Sequence, residues 1–465
     1  MVFALGKAAA AMLVVTVLSG VALLAMPRQR AAEKPDLVLA AFAAEHVTAY
    51  RSVLAKFERE NHCNVQLQLV DQRALQDRLQ SSLEVGADVP DMVELLYGTF
   101  GIFTMGRVED VKLIDLTPRI NAEKLTDRVV ANRFPRWSSR GHVFALPHDV
   151  HPVMLVYRRD LCEQLGIDVS QLTTWDKFVA VGKTLKDKKL PGDAPQRRYM
   201  IDLDYAGNDT LKLLLFQRGG GMFDAKGRVI FDSPEAVDTV CWYVKQTHGE
   251  NPVGYGCGAG SNFSRAMMDG LCLFYLCPDW RAKQIMNDVP GLSGKLAVMP
   301  LPAWREGGPR TSTWGGTGLA ITKQCRNPEL AWKLAVYLYY DAGQVGPRFA
   351  ETFILPPLRD AWQDPAIRDT PVPFYSGQKI GAEFAALADD VPRDFDTAYG
   401  SQANGKLSEA YTNAADYYDR RGEIGLREFT AAELKRCADQ VRRLMARNVF
   451  QSPVAAAEPP GAGHE

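Results

Sequence analysis

The chain has 465 residues, with 54 lysines and arginines against 55 aspartates and glutamates, so its formal net charge at pH 7 is −1. Hydrophobic residues make up 46% and charged residues 23%, which is typical of a globular protein and excludes a disordered or fibrous one. The balanced charge, without a block of five or more like charges, excludes nucleic acid as the expected partner, because binding to phosphates requires a clustered basic surface. The length predicts two or three domains.

The N-terminus has the layout of an export signal. Lys7 precedes an uncharged run, residues 8–26, that is rich in alanine, valine and leucine. This run also approaches the length that spans a bilayer, and residues 27–30 interrupt it without a clean cleavage site. We therefore expect an exported protein in which residues 1–32 are a cleaved signal peptide or, less favoured, an uncleaved anchor.

Strand and helix patterns then alternate along the chain. Residues 37–40 form a short apolar run, residues 65–69 alternate strictly, and residues 92–97 form another apolar run, which predicts three strands. Between them, residues 53–57 and 75–83 place their apolar side chains at helical spacing. This β-α-β-α-β order predicts a parallel sheet covered by helices.

The pattern continues in the second part of the chain. Residues 143–147 and 153–157 are two predicted strands joined by a short crossover. Ser233 followed by Pro234 predicts a helix start, and residues 430–433 (Thr-Ala-Ala-Glu) predict a capping box. The last residues, 451–465, are rich in proline, alanine and glycine and predict a disordered tail.

Motifs of the common enzyme classes are absent from the sequence. It contains no G-x-S-x-G, no G-x-x-x-x-G-K-[ST], no G-x-G-x-x-G after the first strand and no H-E-x-x-H. Residues 148–151 (His-Asp-Val-His) are the one arrangement that resembles a metal site. In an extended chain this spacing directs the two rings to opposite sides, so we expect neither a metal nor a cofactor.

The eight cysteines are scattered and form no C-x-x-C motif. An even number in an exported protein permits disulfides, yet a chain of this size needs none for stability. Cys272 and Cys277 lie five residues apart in an apolar run, which places them on opposite faces of a strand. We expect buried free thiols.

Aromatic residues stand next to polar groups in several predicted loops. A sugar site needs flat rings that stack on C–H faces, and planar polar groups that bind hydroxyls. The sequence has such residues at four places: Tyr97, Asp204 with Tyr205, Asp279 with Trp280, and Trp314 with Gly315. These residues are candidates for a carbohydrate site.

An ordered series of short motifs extends from about Leu37 to Arg447. The motifs lie at 57–58, 65–67, 86–91, 144–147, 155–160, 174–176, 219–224, 233–236, 270–280, 300–302, 315–318 and 327–331. In this order they resemble the extracellular solute-binding proteins of ABC importers, in particular the carbohydrate-binding group that is similar to maltose-binding protein. The resemblance covers nearly the whole mature chain.

The resemblance implies an α/β fold of two discontinuous lobes joined by hinge strands, with a ligand cleft between the lobes. Lobe 1 would comprise residues 36–148 and about 296–352. Lobe 2 would comprise residues 149–295 and about 353–450. Ligand would bind at the carboxyl ends of the strands, and closure would be a hinge motion.

The resemblance also assigns site residues by position. Trp280 matches an aromatic residue that stacks on sugar in the family. His151 falls where maltose-binding protein has a ligand-contacting glutamate, and this departure argues against maltose itself. The same comparison, with the aromatic and polar pairs above, predicts the substrate-binding residues Trp280, Asp149, His151, Trp314, Gly315, Tyr97, Asp204 and Glu351.

The implied protein is a non-enzymatic, monomeric periplasmic receptor for a sugar or oligosaccharide. It would deliver its solute to the transmembrane permease subunits of an ABC importer, and it would be free or tethered through residues 1–32. Two alternatives stay open. The solute could be a polyamine or a sugar or glycerol phosphate, since related folds also bind such solutes. Arg348 and Arg359, near predicted cleft segments, leave a phosphorylated ligand open. A periplasmic glycoside hydrolase, with Asp149 or Glu351 as general acid, is the less favoured alternative.

Overall fold

The computed structural model describes residues 34–185, 188, 197–205 and 209–448, together with Met12 and Thr16. Apart from those two residues, the predicted signal segment 1–32 lies outside the described part of the chain, as does the predicted tail 451–465. The larger compact unit of the chain begins at Leu37. No helix among the described residues is long and apolar enough to cross a membrane.

Two five-stranded sheets organise this unit. The strands are β1 (Leu37–Ala41), β2 (Val65–Leu69), β3 (Met92–Leu96), β4 (Ser138–Ser139), β5 (His142–Val143), β6 (Leu146–Pro147), β7 (Val153–Arg158), β8 (Tyr199–Asp202), β9 (Gly254–Tyr255), β10 (Cys272–Pro278), β11 (Leu296–Pro300) and β12 (Thr317–Ile321). The first sheet has the order β2-β1-β3-β12-β6, and the second has the order β11-β7-β10-β8-β9. Strands β4 and β5 form a separate ribbon.

The pairing confirms the parallel sheet predicted for the first part of the chain. Strand β1 runs parallel to both β2 and β3, whereas β12 runs antiparallel to β3 and β6. In the second sheet β10 runs antiparallel to β7 and parallel to β8. The first sheet therefore receives a strand, β12, from a distant part of the sequence.

Helices cover the sheets. Those of eight or more residues are Ala44–Asn61, Gln72–Val85, Trp175–Lys183, Asp209–Gln217, Pro234–Thr247, Ser261–Met268, Asp279–Asp288, Pro328–Tyr340, Ala342–Thr352, Ile380–Leu387, Gly400–Arg421 and Leu426–Ala446. Shorter α-helices are Thr117–Ala122, Leu125–Arg128, Arg159–Gln164 and Pro365–Arg368. The last two long helices pack against each other and against Pro234–Thr247.

Two predicted helix starts have different outcomes. Ser233 caps the helix Pro234–Thr247 by accepting the Ala236 N–H at 3.3 Å, which confirms the prediction there. The capping box at Thr430 is wrong, because the helix Leu426–Ala446 begins one turn earlier. Thr430 lies inside that helix with its side chain fully buried.

A buried polar network anchors the first sheet to its helices. Glu94, on β3, accepts hydrogen bonds from the Tyr50 and Tyr339 hydroxyls and pairs with His46. Burial alone would raise the pKa of Glu94, but these neighbours hold it at about 2. Tyr339 and the adjacent Tyr340 are fully buried, as expected for core aromatics.

Three chain segments lie where the two sheets meet. Residues 148–152 lead from β6 to β7, residues 301–316 lead from β11 to β12, and residues 353–358 follow the helix Ala342–Thr352. The segments bind one another: the Val150 N–H donates to Leu355 O at 3.1 Å, and Pro152 forms a bridge with Thr313. These contacts position the site.

The pairing of β11 places residues 296–300 in the second sheet, which differs from the predicted lobe boundary at residue 296. Residues 296–352 are predicted to belong to the first lobe, whereas Leu296–Pro300 pairs with β7 in the second sheet. We propose that the chain returns to the first lobe after Pro300, through residues 301–316. The remaining lobe boundaries stay predictions.

Candidate ligand-binding site

Two tryptophans meet beside the segment that joins β11 to β12. Trp280 is the second residue of the helix that follows β10, and its indole N–H donates to Trp314 O at 3.1 Å. The two rings are 5.9 Å apart at an angle of 76°, an edge-to-face arrangement. Gly315 makes this approach possible: its φ is +82°, and a Cβ atom there would lie 3.2 Å from Trp280 Nε1. Three predicted site residues are thus in contact.

Tyr97 joins this group from the first sheet. It directly follows β3, and its N–H donates to Gly316 O at 2.8 Å. The Arg136 guanidinium lies 4.2 Å from the centre of the Tyr97 ring, and Lys212 Nζ lies 5.5 Å from it. We name Trp280, Trp314 and Tyr97, with the glycines between them, the aromatic cluster.

Asp149 and His151 are buried and contact other protein groups, so they are not side chains that stand open to a ligand. His151 lies between two carboxylates, with Nε2 3.1 Å from Asp149 Oδ2 and Nδ1 2.6 Å from Asp279 Oδ1. Asp149, His151 and Asp279 are each at most 3% exposed. Burial alone would lower the pKa of His151, but the two carboxylates raise it to about 9. We name these three residues the hinge triad.

The hinge triad ties the crossover segment 148–152 to the start of β12 and to the segment 353–358. Asp149 Oδ2 accepts the Thr317 N–H at 2.7 Å, and Asp279 Oδ2 accepts the Leu355 N–H at 2.7 Å. His151 has a φ of +54°, a region where histidine is one of the more frequent non-glycine residues. Because both of its ring nitrogens face carboxylates, neither is available as a metal ligand.

The pKa of Asp149 follows from the same contacts. Burial would raise it, but the charge on His151 and the hydrogen bonds of His148 and His151 hold it well below its usual value. Arg133, also fully buried, lies 3.6 Å from Asp149 Oδ1. Both ring nitrogens of His151 and Oδ2 of Asp149 therefore contact protein groups, whereas Asp149 Oδ1 accepts no hydrogen bond from any described residue. Ligand contact by these two residues stays a prediction.

Two other predicted site residues are exposed. The Asp204 carbonyl accepts the Tyr243 hydroxyl at 2.8 Å at the end of β8. Glu351 lies on the helix Ala342–Thr352, where its charge acts on Lys283 and Arg348. Ligand contact by Asp204 and Glu351 also stays a prediction.

Sequence reasoning missed a group of charged residues around Tyr97. Arg136 donates to Gly315 O and, through Nη2, to Asp394 Oδ2 at 3.0 Å. Asp396 lies close enough to Asp394 and Lys212 to respond to their charges. We name Arg136, Lys212, Asp394 and Asp396 the charged cluster. These residues belong to no local motif, so only the folded chain shows that they meet.

Asp396 is the member of this cluster whose charge is least compensated. Its Oδ1 accepts the Thr397 N–H at 2.8 Å, while its Oδ2 accepts no hydrogen bond from any residue that the structure describes. Burial, and then the charge of Asp394, raises the pKa of Asp396 to about 7. This carboxyl oxygen is suited to accept a hydrogen bond from a ligand hydroxyl.

The raised pKa of Asp396 predicts a pH-dependent stability. The folded protein holds the proton up to about pH 7, whereas the unfolded chain releases it near pH 3.8, the ordinary pKa of an aspartate. The wild type therefore loses stability as the pH rises between these values. We expect Asp396→Asn to match the wild type near pH 4 and to be more stable by about 1–3 kcal/mol at pH 8. Thermal unfolding at both pH values measures this.

Asp389→Asn is the matched control, because Asp389 forms a surface ion pair with Arg359 and its side chain is 65% exposed. That substitution should change stability by less than about 1 kcal/mol at either pH. An Asp396→Asn variant with the same stability difference at pH 4 and pH 8 would contradict the raised pKa.

Arg348, one of the two arginines that leave a phosphorylated ligand open, lies apart from the aromatic and charged clusters. It lines a small pocket in the first-sheet region, together with His46, Tyr50 and His148. Its Nε and Nη1 have no hydrogen-bond partner among the described residues, and a buried water would satisfy them. The structure places Arg348 beside the Tyr50 ring, at 5.5 Å.

The chain forms two sheets covered by helices, and three segments connect them. With the aromatic cluster beside those segments, this arrangement defines a two-lobed ligand-binding protein. The model of the bacterial extracellular solute-binding protein family matches residues 43–345, and the chain belongs to this family of binding proteins. The predicted family is thereby confirmed.

Characterised relatives and solved structures agree with this membership. The chain is 24% identical, over 72% of its length and 74% of the relative's, to an arabinooligosaccharide-binding protein of Halalkalibacterium halodurans. It is 30% identical, over 55% of its length and 57% of the relative's, to an arabinooligosaccharide-binding protein of Bacillus subtilis. The sugar-binding protein MalE of Xanthomonas citri is similar in structure, with a TM-score of 0.69 and 19% identity over 88% of this chain and 99% of that one. The two-lobe α/β fold is confirmed.

Proposed function

We propose that this protein is a periplasmic receptor that binds a sugar or oligosaccharide between its lobes and delivers it to the permease subunits of an ABC importer. The aromatic cluster is the observation that carries the proposal. Trp280 and Trp314 meet edge to face at 5.9 Å, and Tyr97 approaches the same segment from the first sheet. Such rings stack on the C–H faces of pyranose or furanose units.

The charged cluster supplies the polar half of a sugar site. The Asp396 carboxyl would bind a ligand hydroxyl, and Lys212 would donate to hydroxyl or ring oxygens. The buried pair of Arg136 and Asp394, 3.0 Å apart, would hold this part of the site in shape. Two relatives named arabinooligosaccharide-binding proteins support an oligosaccharide, and arabinooligosaccharides are the first ligands to test.

The protein acts in this proposal as a monomer without a cofactor and without catalytic activity. Export places it in the periplasm, free if residues 1–32 are removed and tethered to the inner membrane if they are retained. The mass of the protein recovered from the periplasm separates these two states. Incubation with arabinooligosaccharides, followed by chromatography, should show no cleavage products, and their appearance would favour the hydrolase alternative.

A thermal-shift screen of the mature chain tests the proposed ligand class. A ligand at 100 times its Kd stabilises the folded state by about 2.7 kcal/mol. We expect a clear upward shift of Tm with one class of oligosaccharide, and none with polyamines, sugar phosphates or glycerol phosphate. A shift with one of those solutes, and with no sugar, would replace the carbohydrate by that solute and leave the family assignment intact.

A further inference from the structure

Two of the eight cysteines lie side by side in the second lobe. Cys257 follows β9 by two residues, and Cys272 is the first residue of β10. Their Sγ atoms are 3.4 Å apart, although β8 separates β9 from β10 in the sheet. The loop after β9 therefore passes over β8 and brings Cys257 beside the neighbouring strand.

Both thiols are buried. Cys257 is 6% exposed and Cys272 is not exposed, and each Sγ lies 3.9 Å from the Tyr255 carbonyl oxygen. Burial, and then the contact with Cys257, raises the pKa of the Cys272 thiol well above its usual value. The folded pair is therefore slow to react, and any bond between the sulfurs has to form before the loop closes over them.

The backbone around Cys257 holds this residue in place and still allows the small movement that a disulfide would require. The Cys257 N–H donates to Asp202 Oδ1 at 2.9 Å, which holds the residue at the end of β8. A disulfide needs an S–S distance of about 2.05 Å, so the sulfurs have to approach by little more than 1 Å. Gly258, with a φ of +75°, follows directly and gives the loop freedom for that adjustment.

We propose that Cys257 and Cys272 form a disulfide bond in the exported protein. The thiolate of one cysteine attacks a disulfide of an envelope thiol–disulfide oxidoreductase and forms a mixed disulfide. The thiolate of the other cysteine then attacks its partner's sulfur in that mixed disulfide and displaces the oxidoreductase thiolate. Two S–H bonds are lost and one S–S bond forms, while two electrons and two protons reduce the oxidoreductase disulfide to a dithiol. The proposal depends on export and is independent of the ligand.

The bond would fix a loop that borders the predicted site residues Asp204 and Tyr205. A Cβ atom at Gly256 would lie 3.0 Å from Tyr205 Cδ2, so this loop packs directly against the tyrosine ring. Tyr205 is 43% exposed and would otherwise rest on a glycine-rich loop. The bond would thus stiffen one edge of the second lobe.

Other cysteines have different neighbours and supply controls. Cys277, on the same strand as Cys272, has its Sγ 3.5 Å from Pro278 O. Cys437 has its Sγ 3.5 Å from Arg436 Nη2. Cys277→Ser therefore removes a buried thiol of β10 without touching the proposed bond.

The test counts free thiols in the protein as it is exported. Cells that export the full chain are treated with a membrane-permeant alkylating reagent before lysis, which prevents later air oxidation. The purified protein is then unfolded without reductant, alkylated again and weighed. We expect the reagent to modify six of the eight cysteines, and a peptide map to link Cys257 to Cys272.

The variants give distinct counts. Cys257→Ser and Cys272→Ser should each show seven modified cysteines, because the partner becomes free, whereas Cys277→Ser should show five. Eight modified cysteines in the wild type, or a map that joins either residue to another cysteine, would overturn the proposal. The wild-type count decides the question even if a serine variant fails to fold.

Discussion

Replacing Trp280 by alanine is expected to weaken oligosaccharide binding by about 2–4 kcal/mol, a roughly 30- to 700-fold higher Kd. The indole is half-buried, and its N–H bond to Trp314 O holds the ring in one orientation. A ring that is already oriented loses little entropy when a sugar stacks on it, so its removal costs both contact and pre-organisation. Isothermal titration with the oligosaccharide that gives the largest thermal shift measures the change.

Trp362→Ala is the matched control for this experiment. Trp362 is also half-buried and also donates its indole N–H to a carbonyl, that of Pro356, at 2.8 Å. We expect Trp362→Ala and Trp280→Ala to lower the free energy of unfolding by a similar amount, about 1–2 kcal/mol. Trp362→Ala should nevertheless bind the oligosaccharide with the wild-type affinity. Equal affinities of the wild type and Trp280→Ala would remove Trp280 from the site, and weakened binding by both variants would indicate a general loss of structure.

Trp280→Phe refines the same prediction. Phenylalanine keeps an aromatic face but loses the hydrogen bond to the Trp314 carbonyl. We expect an affinity between those of the wild type and Trp280→Ala, because stacking is retained and orientation is not. An affinity as low as that of Trp280→Ala would mean that the orientation of the ring contributes more than its face.

The first sheet could be predicted because its signals are local. Residues 65–69 alternate with a period of two, and Leu75, Leu79 and Leu83 recur at helical spacing, whatever the rest of the chain does. The structure places β2 and the helix Gln72–Val85 at these positions. Local periodicity also has limits. At Thr430 the pattern of a capping box occurs inside a helix that starts at Leu426, where the side chain fills the core instead.

The site could be predicted only in part. An aromatic residue next to a polar one is visible in sequence, and so Trp280, Trp314 and Tyr97 could be proposed as site residues. The charged residues beside Tyr97 are remote in sequence, since Arg136 and Asp394 are 258 residues apart along the chain. An isolated arginine or aspartate has no spacing to distinguish it from a surface charge, and only the folded chain brings this pair together.

The same limit applies to His151. Its position in the crossover loop predicts a ligand contact by resemblance, but its two hydrogen-bonding partners are determined by tertiary structure. Asp279 is 128 residues away, and Asp149 is two residues away across a backbone turn with positive φ. An extended crossover would place Asp149 and His151 on the same face, but it cannot show that the remote Asp279 meets the other ring nitrogen, so a histidine between two carboxylates was not predictable from spacing.

Replacing His151 by glutamine is expected to destabilise the protein by about 3–5 kcal/mol at pH 6. The substitution leaves Asp149 and Asp279 buried together without the positive charge between them. Arg133, 3.6 Å from Asp149, compensates only one of the two carboxylates. One carboxyl then has to take up a proton, or the loop has to open to water, and both cost stability. Chemical denaturation measures the loss.

The pH dependence distinguishes charge from packing. In the wild type the pKa of folded His151 is about 9, above the ordinary histidine pKa of 6.5. Its stabilising contribution is therefore complete below about pH 6.5 and is lost as the pH rises through 9. The difference between the wild type and His151→Gln should shrink over this interval. A difference of constant size from pH 6 to pH 9.5 would contradict a charged imidazole at this position.

Two further variants complete the design. His142→Gln alters a histidine that is 41% exposed and pairs with Asp115 at 2.8 Å, and it should change stability by less than about 1 kcal/mol. His151→Asn is too short to bridge the carboxylates but accepts a positive φ readily, so it separates backbone strain from the loss of charge. Because the hinge triad also holds Thr317, at the start of β12, and Leu355, on the connecting segment 353–358, both His151 variants should loosen the joint between the lobes. Binding should therefore weaken, since part of the binding energy is then spent on ordering that joint.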